Sequence, residues 1–483
     1  MPKTLPRFAV VALLLCVPLG LAWVLPAPSS DTRELLSWGL NPSLSTPKQP
    51  PLMQWMGFLV MRLAWPTTFW CVALQQALNL VGLVYVYRTL RLWREREAAG
   101  LLTILLTGAV YFIGAPVAFA LNADILQFPF WAAMLFHALR AFETRGFRHW
   151  AALALAFALA FYAKYTVALW AVSLALASLT VPAYRRVFGD VRLYLCATLA
   201  AALVAPHLIA APHSGALGHA TGTLYLSAPL GFRLKNLSEL ALGFVAYLAP
   251  GWIWLGVAVF RGEARWTPPP APAARFVLAA GAAGLALLLF LVAGLGFKYP
   301  SRYDSPFLFV AWLAVAGGFA FTPERFTAAR RWMTRGAAVF AAALLVGGLA
   351  VYGVFTIHPR QQEPLVEAAA RLQAQWGQRF SCGPAYVMGD FWSAYGLAIS
   401  LVPPRPGAHL IELNALPGYD PALRESQGAI VVYRDHIDAR EVHAVFPDLD
   451  VATPQRLTLP FARTFSRKAE ITYEYVFIPP KGC

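Results

Sequence analysis

The residues best suited to chemistry in this chain are acids and lysines beside its first long apolar runs. Asp31-Thr-Arg-Glu34 and Lys48-Gln-Pro-Pro51 lie in one connection between the first two runs of membrane length. A carboxylate can take a proton from a hydroxyl group, and an ammonium can hold a phosphate that gains charge as its bond to a sugar breaks. Charged side chains are costly near a membrane, so this connection is interpreted as a site. The pattern predicts a membrane enzyme.

Later connections add ionisable and aromatic residues on the same predicted side of the membrane. They are Asp124, Lys164, Tyr165, His213, His219, Lys298, Arg302 and Tyr303. Transfer of a sugar from a lipid phosphate needs a base for the acceptor hydroxyl and cations for the departing phosphate. The acids and cations that both steps require therefore lie on one side.

The composition is that of an integral membrane protein. Of the 483 residues, 58% are hydrophobic and only 13% are charged, and the mean hydropathy is +0.55. The net charge of +15 could suggest a nucleic-acid partner, but the arginines form short clusters between apolar runs. Membrane proteins place basic residues in this way in their cytoplasmic loops. No nucleic-acid partner is expected.

The apolar runs predict about eleven transmembrane helices, since roughly 20 residues cross the hydrocarbon core. The predicted spans are 8–25, 69–87, 98–115, 125–142, 150–163, 166–183, 193–211, 237–260, 276–296, 305–321 and 336–355. The short runs 150–163 and 166–183 meet at Lys164-Tyr165 and form either a tight helical hairpin or one broken pair. The count is least certain there.

The distribution of Lys and Arg predicts the orientation. The basic connections contain Lys3 and Arg7, Arg88 to Arg96, Arg140 to Arg148, Arg185 to Arg192, Arg261 and Arg265, and Arg325 to Arg335. These connections and the N-terminus are therefore assigned to the cytoplasm. The candidate residues and the C-terminal part then face the periplasm of a bacterial inner membrane. A cleaved signal peptide is the alternative at the N-terminus, although an 18-residue run is long for one.

The chain divides into a transmembrane domain, 1–355, and a soluble periplasmic α/β domain, 356–483. In the second part the apolar runs shorten, and strand patterns occur at Ala385–Met388, Ala429–Tyr433 and Ile471–Ile478. Cys382 and Cys483 are its two cysteines. A disulfide between them suits an oxidising periplasm, and two free thiols remain the alternative.

Specific stretches carry a family resemblance. Asp31-Thr-Arg-Glu-Leu-Leu-Ser-Trp38 followed by Lys48-Gln-Pro-Pro-Leu-Met-Gln-Trp55 resembles the first external loop of GT-C glycosyltransferases. The most similar branch contains the lipid A aminoarabinose transferase, protein O-mannosyltransferases and rhizobial core-oligosaccharide galacturonosyltransferases. Asn122-Ala-Asp124 resembles the second external acidic position of the family. Phe161-Tyr-Ala-Lys164-Tyr165-Thr resembles its Lys-Tyr at the end of a short helix.

The resemblance implies an all-α polytopic membrane domain and roles for its matching residues. Asp31 matches the external aspartate that acts as catalytic base or as a metal-linked acid, and Asp124 matches the second acid. Lys48, before Pro50-Pro51, matches the lysine used against the donor phosphate. Asp31 and Asp124 are also the candidate ligands of a divalent cation (Mg²⁺, Mn²⁺ or Zn²⁺). Some members of the family have two adjacent acids in the first motif. This sequence differs from them, because Thr32 follows Asp31.

The remaining candidates are expected to contact substrate. They are Glu34, Lys164, Tyr165, His213, Arg302 and Tyr303, with Glu34 holding either the sugar or a metal. Each of the main candidates also has a purely structural interpretation. Asp31 and Asp124 could be helix N-caps, and Lys48 and Lys164 could extend to the head-group level. Arg302 could belong to an interfacial belt of aromatic and basic residues.

The predicted activity is inverting transfer from a polyprenyl-phosphate sugar to an envelope acceptor, foremost a lipid A or core-oligosaccharide sugar. Inversion is implied by the family. A transporter or flippase for a lipid-linked sugar is the main rival, followed by a membrane scaffold. A transporter would show ionisable residues near mid-span or helices interrupted at matched places in two halves. The sequence shows neither pattern.

Overall fold

The protein is described by a computed structural model. It describes residues 5–25, 27–46, 48–63, 68–113, 121–214, 228–267, 270–297, 307–350, 362–410, 419–461 and 470–483. Up to residue 350, long apolar helices dominate. Beyond residue 362, a small sheet with flanking helices follows. The predicted fold class is confirmed.

Most helices of the first part lie on the predicted spans, and two further helices lie in the connection between the first two spans. They are α1 Leu5–Trp23, α2 Ser30–Gly39, α3 Leu52–Leu63, α4 Thr68–Leu90, α5 Arg96–Thr107, α6 Val110–Ile113, α7 Ala123–Thr144, α8 Phe147–Ala163, α9 Val167–Thr180, α10 Val191–Ser214, α11 Leu230–Phe260, α12 Pro272–Leu289, α13 Leu308–Ala316 and α14 Pro323–Gly348. A 3₁₀ turn, Arg185–Gly189, precedes α10, and a π-helical turn, Phe290–Gly294, extends α12.

Five helices of the described chain are long and apolar enough to cross a membrane. They lie at Thr68–Leu90, Ala123–Thr144, Val191–Pro212, Leu230–Phe260 and Pro272–Gly294. Shorter apolar helices occur at Val10–Trp23, Phe147–Ala163 and Val167–Thr180. The protein is therefore a multi-pass membrane protein. The total of eleven spans stays a prediction.

Two predicted spans are interrupted, in both cases next to glycine. The helix expected over 305–321 ends at Ala316, because Gly317 and Gly318 follow and Phe319–Phe321 forms strand β2. The run 98–115 ends its first helix at Thr107, before Gly108, and continues as the single turn α6. The predicted continuous helices were wrong at these positions. The runs 150–163 and 166–183 are two helices, α8 and α9, joined by Lys164–Thr166.

Connections predicted to be cytoplasmic contact each other at one end of the helices. Strand β1, Ala264–Trp266, pairs antiparallel with β2. The Arg94 Nε atom donates to the Gly317 carbonyl at 2.8 Å, and Arg330 is 2.6 Å from Glu97. These three basic connections therefore lie together, as expected when they share one side of the membrane.

The centre of the helical part is packed, and its periphery exposes apolar side chains. In α7, 78% of the most apolar stretch is buried, against 22% in α10. Trp131 of α7 stacks on Trp170 of α9, with ring centroids 5.6 Å apart. By contrast, Ile209 of α10 and Phe260 of α11 are 73% and 92% exposed. Apolar surface of this extent suits contact with lipid.

The C-terminal part is a mixed five-stranded sheet. Its strands are β3 Tyr386–Gly389, β4 Gly407–His409, β5 Ala429–Arg434, β6 Gln455–Pro460 and β7 Glu470–Ile478, and its helices are α15 Leu365–Gly377, α16 Ser393–Ser400, α17 Pro421–Gln427 and α18 Ala439–Val445. The strand order is β4-β3-β5-β7-β6, with β3 parallel to β4 and β5, and β7 antiparallel to β5 and β6. The three predicted strands are present. Cys382 and Cys483 form a disulfide, with Cα atoms 5.9 Å apart.

The C-terminal part packs on α2 through buried polar contacts. The Arg33 guanidinium of α2 pairs with Glu363, and both side chains are 1% exposed. Glu363 also accepts from Arg434 at 3.1 Å. The Gly407 N–H of β4 donates to the Ser37 hydroxyl at 2.8 Å. The helix that carries Asp31 is thus fixed on one side by the C-terminal sheet.

Candidate active site

Helix α2 positions the two acids of the first motif. Its N-cap is Ser29, so Asp31 lies inside the first turn and Glu34 one turn later. The structural interpretation of Asp31 as an N-cap is therefore wrong. A negative side chain in the first turn interacts favourably with the helix dipole. Within the same turn, the Asp31 Oδ1 atom also accepts from the Ser30 hydroxyl at 3.5 Å.

Close contact between α2 and α3 fixes this helix on its other side. A Cβ atom on Gly57 would lie 2.5 Å from the Leu35 carbonyl oxygen, and one on Gly39 would lie 2.5 Å from the Phe58 nitrogen. Only glycine permits such an approach of two backbones. Because α3 follows Lys48-Gln-Pro-Pro51 directly, this contact holds both halves of the first motif together.

Asn122 joins Asp31 to Asp124. Its Nδ2 atom donates to Asp31 Oδ2 at 2.6 Å, and its Oδ1 atom accepts from the Asp124 N–H at 2.8 Å. Asn122 is the N-cap of α7, so the structural interpretation of Asp124 as the cap is also wrong. The two acids, 93 positions apart in sequence, are linked through one carboxamide.

Lys164 pairs with Asp124. Its ammonium donates to Asp124 Oδ1, and the two side chains are 18% and 4% exposed. Lys164 is the C-cap of α8, where the chain turns toward α9. The lysine is directed at a buried acid rather than extended to the head groups, and it brings a cation to the Asp31–Asn122–Asp124 chain.

A second lysine–acid pair lies on α2. Lys48 Nζ is 2.7 Å from Glu34 Oε1 and 4.3 Å from the centroid of the Phe391 ring. Glu34 is 5% exposed and Lys48 is 18% exposed. Phe391 belongs to the loop between β3 and α16, so the C-terminal part covers this lysine. A cation over an aromatic face is stabilised by the ring quadrupole.

Tyr165 is held by a buried histidine. Its hydroxyl lies 2.8 Å from His207 Nε2, and His207 Nδ1 lies 2.7 Å from the Leu44 carbonyl oxygen. Because Nδ1 faces an acceptor, it carries the proton, and Nε2 accepts from the tyrosine. Burial raises the pKa of Tyr165 to about 12. The hydroxyl therefore stays protonated and, through His207, ties the Lys164-Tyr165 turn to the connection between α2 and α3.

Three of the predicted site residues have side chains that the structure does not describe. His213 lies in the last turn of α10. Arg302 and Tyr303 lie outside the described residues, as do His219 and Lys298. Their roles stay predictions. The described chain brings together Asp31, Glu34, Lys48, Asp124, Lys164 and Tyr165.

Asp31 and Asp124 are the predicted ligands of a divalent cation. Within the described ranges, no group of three or more His, Cys, Asp or Glu side chains is placed to hold a metal ion. The Asp124 carboxylate is engaged by Lys164 and the Asp31 carboxylate by Asn122. A cation at these oxygens would compete with both partners. An amide thus holds the described Asp31 carboxylate and an ammonium holds that of Asp124, and the metal site at these two acids stays a prediction.

The structure adds residues that the sequence did not single out for a role. Asn122 bridges two acids, His207 holds Tyr165, Glu363 neutralises Arg33, and Phe391 covers Lys48. Asn122 could have been identified from the sequence, because an Asn two residues before an acid at the start of an apolar run is a helix-capping signal. No local pattern marks the other three, because their partners are distant in sequence.

Residues 48–209 match the family model of dolichyl-phosphate-mannose-protein mannosyltransferases. This match indicates a glycosyltransferase of the GT-C type. It includes Lys48, Asn122, Asp124, Lys164 and His207 of the site. The predicted GT-C resemblance of this membrane glycosyltransferase is confirmed.

No curated protein sequence matches the chain. Among solved structures, the crystal structure of the Archaeoglobus fulgidus oligosaccharyltransferase in its apo form is similar to this glycosyltransferase. The TM-score is 0.46 and the sequence identity 12%, over 89% of this chain and 70% of that chain.

Proposed function

We propose that the protein moves a sugar from a polyprenyl-phosphate donor to an envelope glycolipid or glycan, on the periplasmic face of a bacterial inner membrane. The observation that carries this proposal is the chain Asp31–Asn122–Asp124–Lys164 beside the Lys48–Glu34 pair. Lys164 lies against the Asp124 carboxylate and Lys48 against that of Glu34, and Asn122 connects Asp31 to the first of these pairs. A hydroxyl acceptor and a phosphate leaving group need this combination of charges.

In the proposed reaction, Asp31 takes the proton of the acceptor hydroxyl. The acceptor oxygen forms a bond to the anomeric carbon while the bond from that carbon to the phosphate oxygen breaks. The bonding electrons stay with the polyprenyl phosphate, whose added charge Lys48 and Lys164 stabilise. A single displacement of this kind inverts the anomeric configuration.

The ion pairs suit this role because each lysine is held by a buried acid. Asp124 fixes Lys164, and Glu34 with the Phe391 ring fixes Lys48. Cations that are already oriented need little reorganisation when the phosphate gains charge. Asp124 thus acts by placing Lys164, and Glu34 by placing Lys48.

The acceptor is proposed to be a lipid A or core-oligosaccharide sugar, because of the branch that the first loop resembles. Mass spectrometry of envelope glycolipids from a deletion strain would identify it by the sugar that disappears. The Phe391–Trp392 loop of the C-terminal part lies at Lys48 and gives the acceptor an aromatic surface. Arg33 holds this loop through the Trp392 carbonyl at 3.0 Å.

The test uses the purified full-length protein in detergent, a panel of polyprenyl-phosphate sugars and an envelope glycolipid acceptor. Transfer should give a glycosylated acceptor and free polyprenyl phosphate, both seen by mass spectrometry. A transporter moves its substrate across a membrane without transferring the sugar. In detergent it should therefore give neither the glycosylated acceptor nor free polyprenyl phosphate. No product with any donor that binds would contradict the proposed transfer.

A further inference from the structure

We propose that Asn122 is a positioning residue. In addition to capping α7, it aligns the Asp31 carboxylate with the cation Lys164. The inference rests on the proposed function, in which Asp31 is the base. According to this inference, Asn122 contributes to kcat. A residue that only capped the helix would affect stability but not kcat.

The orientation of the Asn122 carboxamide is determined by its surroundings. Oδ1 must face the Asp124 N–H, since only the oxygen accepts, and Nδ2 is thereby directed at Asp31 Oδ2. The residue is 3% exposed, so water competes little for either bond. Hydrogen bonds to a charged group are the stronger kind, and the 2.6 Å length fits that class.

This carboxamide stands where three separate elements meet. Asp31 comes from α2, Asp124 from α7, and Lys164 from the end of α8. The preceding Leu121 has a φ of 52°, a left-handed conformation that is costly for a leucine. The backbone therefore turns sharply just before Asn122, and the turn presents its side chain to Asp31. One donor bond then sets the position of the base relative to the phosphate-binding lysine.

The cap and the donor functions can be separated by substitution. Ser and Asp cap helices about as well as Asn, because each offers an oxygen to the backbone N–H groups of the first turn. Neither offers an N–H donor to Asp31. Asn122→Ser should therefore keep the helix and lose only the bond to the base, whereas Asn122→Asp keeps the cap and replaces that bond by a second carboxylate.

The experiment compares wild type, Asn122→Ser, Asn122→Asp and Asn122→Ala in the detergent assay. We expect kcat to fall about 10²-fold for Asn122→Ser, since misplacement of a reacting group by about 1 Å costs that much. Asn122→Asp should lose at least as much, because it sets a second carboxylate against Asp31. The KM for the donor and the melting temperature should change little in Asn122→Ser, while the buried pair of carboxylates should also lower the melting temperature of Asn122→Asp. Asn122→Ala should lose activity and stability together.

A double variant tests whether Asn122 acts through Asp31. In the Asp31→Asn background the base is absent, so adding Asn122→Ser should not reduce the residual kcat further. Wild-type kcat in Asn122→Ser, or a further tenfold loss in the double variant, would overturn the inference while transfer by the wild type stands. Absence of product from the wild type itself would instead overturn the proposed function, and this inference with it.

Discussion

The Lys48 ammonium lies 2.7 Å from the Glu34 carboxylate, and the ring of Phe391 from the C-terminal part covers it at 4.3 Å. The first motif thus contains its own counter-ion, placed one helical turn after Asp31. Glu34, for which sugar or metal binding was predicted, is the ion-pair partner of a lysine. The pair also ties the first motif to the C-terminal part, so both parts of the chain shape one candidate site.

Replacement of Lys48 should slow transfer and weaken donor binding together. Lys48→Ala removes a cation from a phosphate that gains charge toward the transition state, so kcat should fall about 10²-fold or more. Lys48→Arg should recover only part of the activity, because the planar, longer guanidinium cannot occupy the same point beside Pro50-Pro51. Both are measured with purified protein and a polyprenyl-phosphate sugar.

The matched control for this lysine is Lys481→Ala. It removes the exposed ion pair between Lys481 and Glu425, whose side chains are 76% and 49% exposed. Surface pairs contribute little to stability, so its activity should equal that of the wild type. Equal activity of Lys48→Ala, Lys48→Arg and wild type would remove Lys48 from the site.

Replacement of Glu363 should loosen the C-terminal part from α2. Glu363→Gln leaves the buried Arg33 without its counter-ion and weakens the contact with Arg434. Breaking one side of a buried ion pair costs about 3 to 5 kcal/mol. We expect a lower melting temperature, faster proteolysis between the two parts, and reduced transfer because Phe391 is displaced.

Glu367→Gln gives the comparison for Glu363→Gln. It makes the same chemical change in a 2.6 Å pair with Arg371 on the surface of α15, where the side chains are 47% and 55% exposed. A pair of this kind is worth about 0.3 to 0.5 kcal/mol. A melting temperature of Glu363→Gln that matches Glu367→Gln would show that the buried pair does not hold the two parts together.

Much of the fold is predictable because a chain that crosses lipid can adopt few backbone structures. A spanning segment must satisfy its own backbone groups, so the run 69–87 had to be helical and is found as Thr68–Leu90. The strand pattern at Ala429–Tyr433 is likewise found as β5. A continuous helix was wrongly predicted over 305–321. The end of this run forms β2, which pairs with β1, and this pairing cannot be seen in the local sequence pattern.

The site could be predicted in its residue types but not in its pairings. The pattern of acids and lysines at membrane boundaries indicated Asp31, Lys48 and Asp124 as candidates, and their roles stay predictions. Arg33, next to them in the same motif, instead pairs with Glu363, 330 positions away. Local sequence does not distinguish a charge that faces substrate from one that holds two parts of the chain together.

The orientation of the protein can be tested with reporter fusions. A reporter active only in the periplasm should work when fused after residue 40 or 483 and should fail after residue 93 or 330. The reason is that the basic connections around Arg94 and Arg330 contact each other at one end of the helices and should be cytoplasmic. Reporter activity after residue 93 would reverse the orientation and place the site in the cytosol.

The central claim is that Asp31 is the base of a sugar transfer, and Asp31→Asn tests it. The amide keeps the size of the side chain and an oxygen that can accept from Asn122, but it cannot take the acceptor proton. Asp435→Asn is the control, because that side chain is 75% exposed and its φ of 64° suits asparagine. Its turnover should be unchanged.

The decisive measurement is the single-turnover rate of sugar transfer from a saturating polyprenyl-phosphate donor, with donor binding measured separately. Asp31→Asn should lose about 10²-fold or more in rate, the usual weight of general-base catalysis, while binding the donor almost as well as the wild type. An Asp31→Asn protein that transfers sugar at nearly the wild-type rate would contradict the assignment of Asp31 as the base.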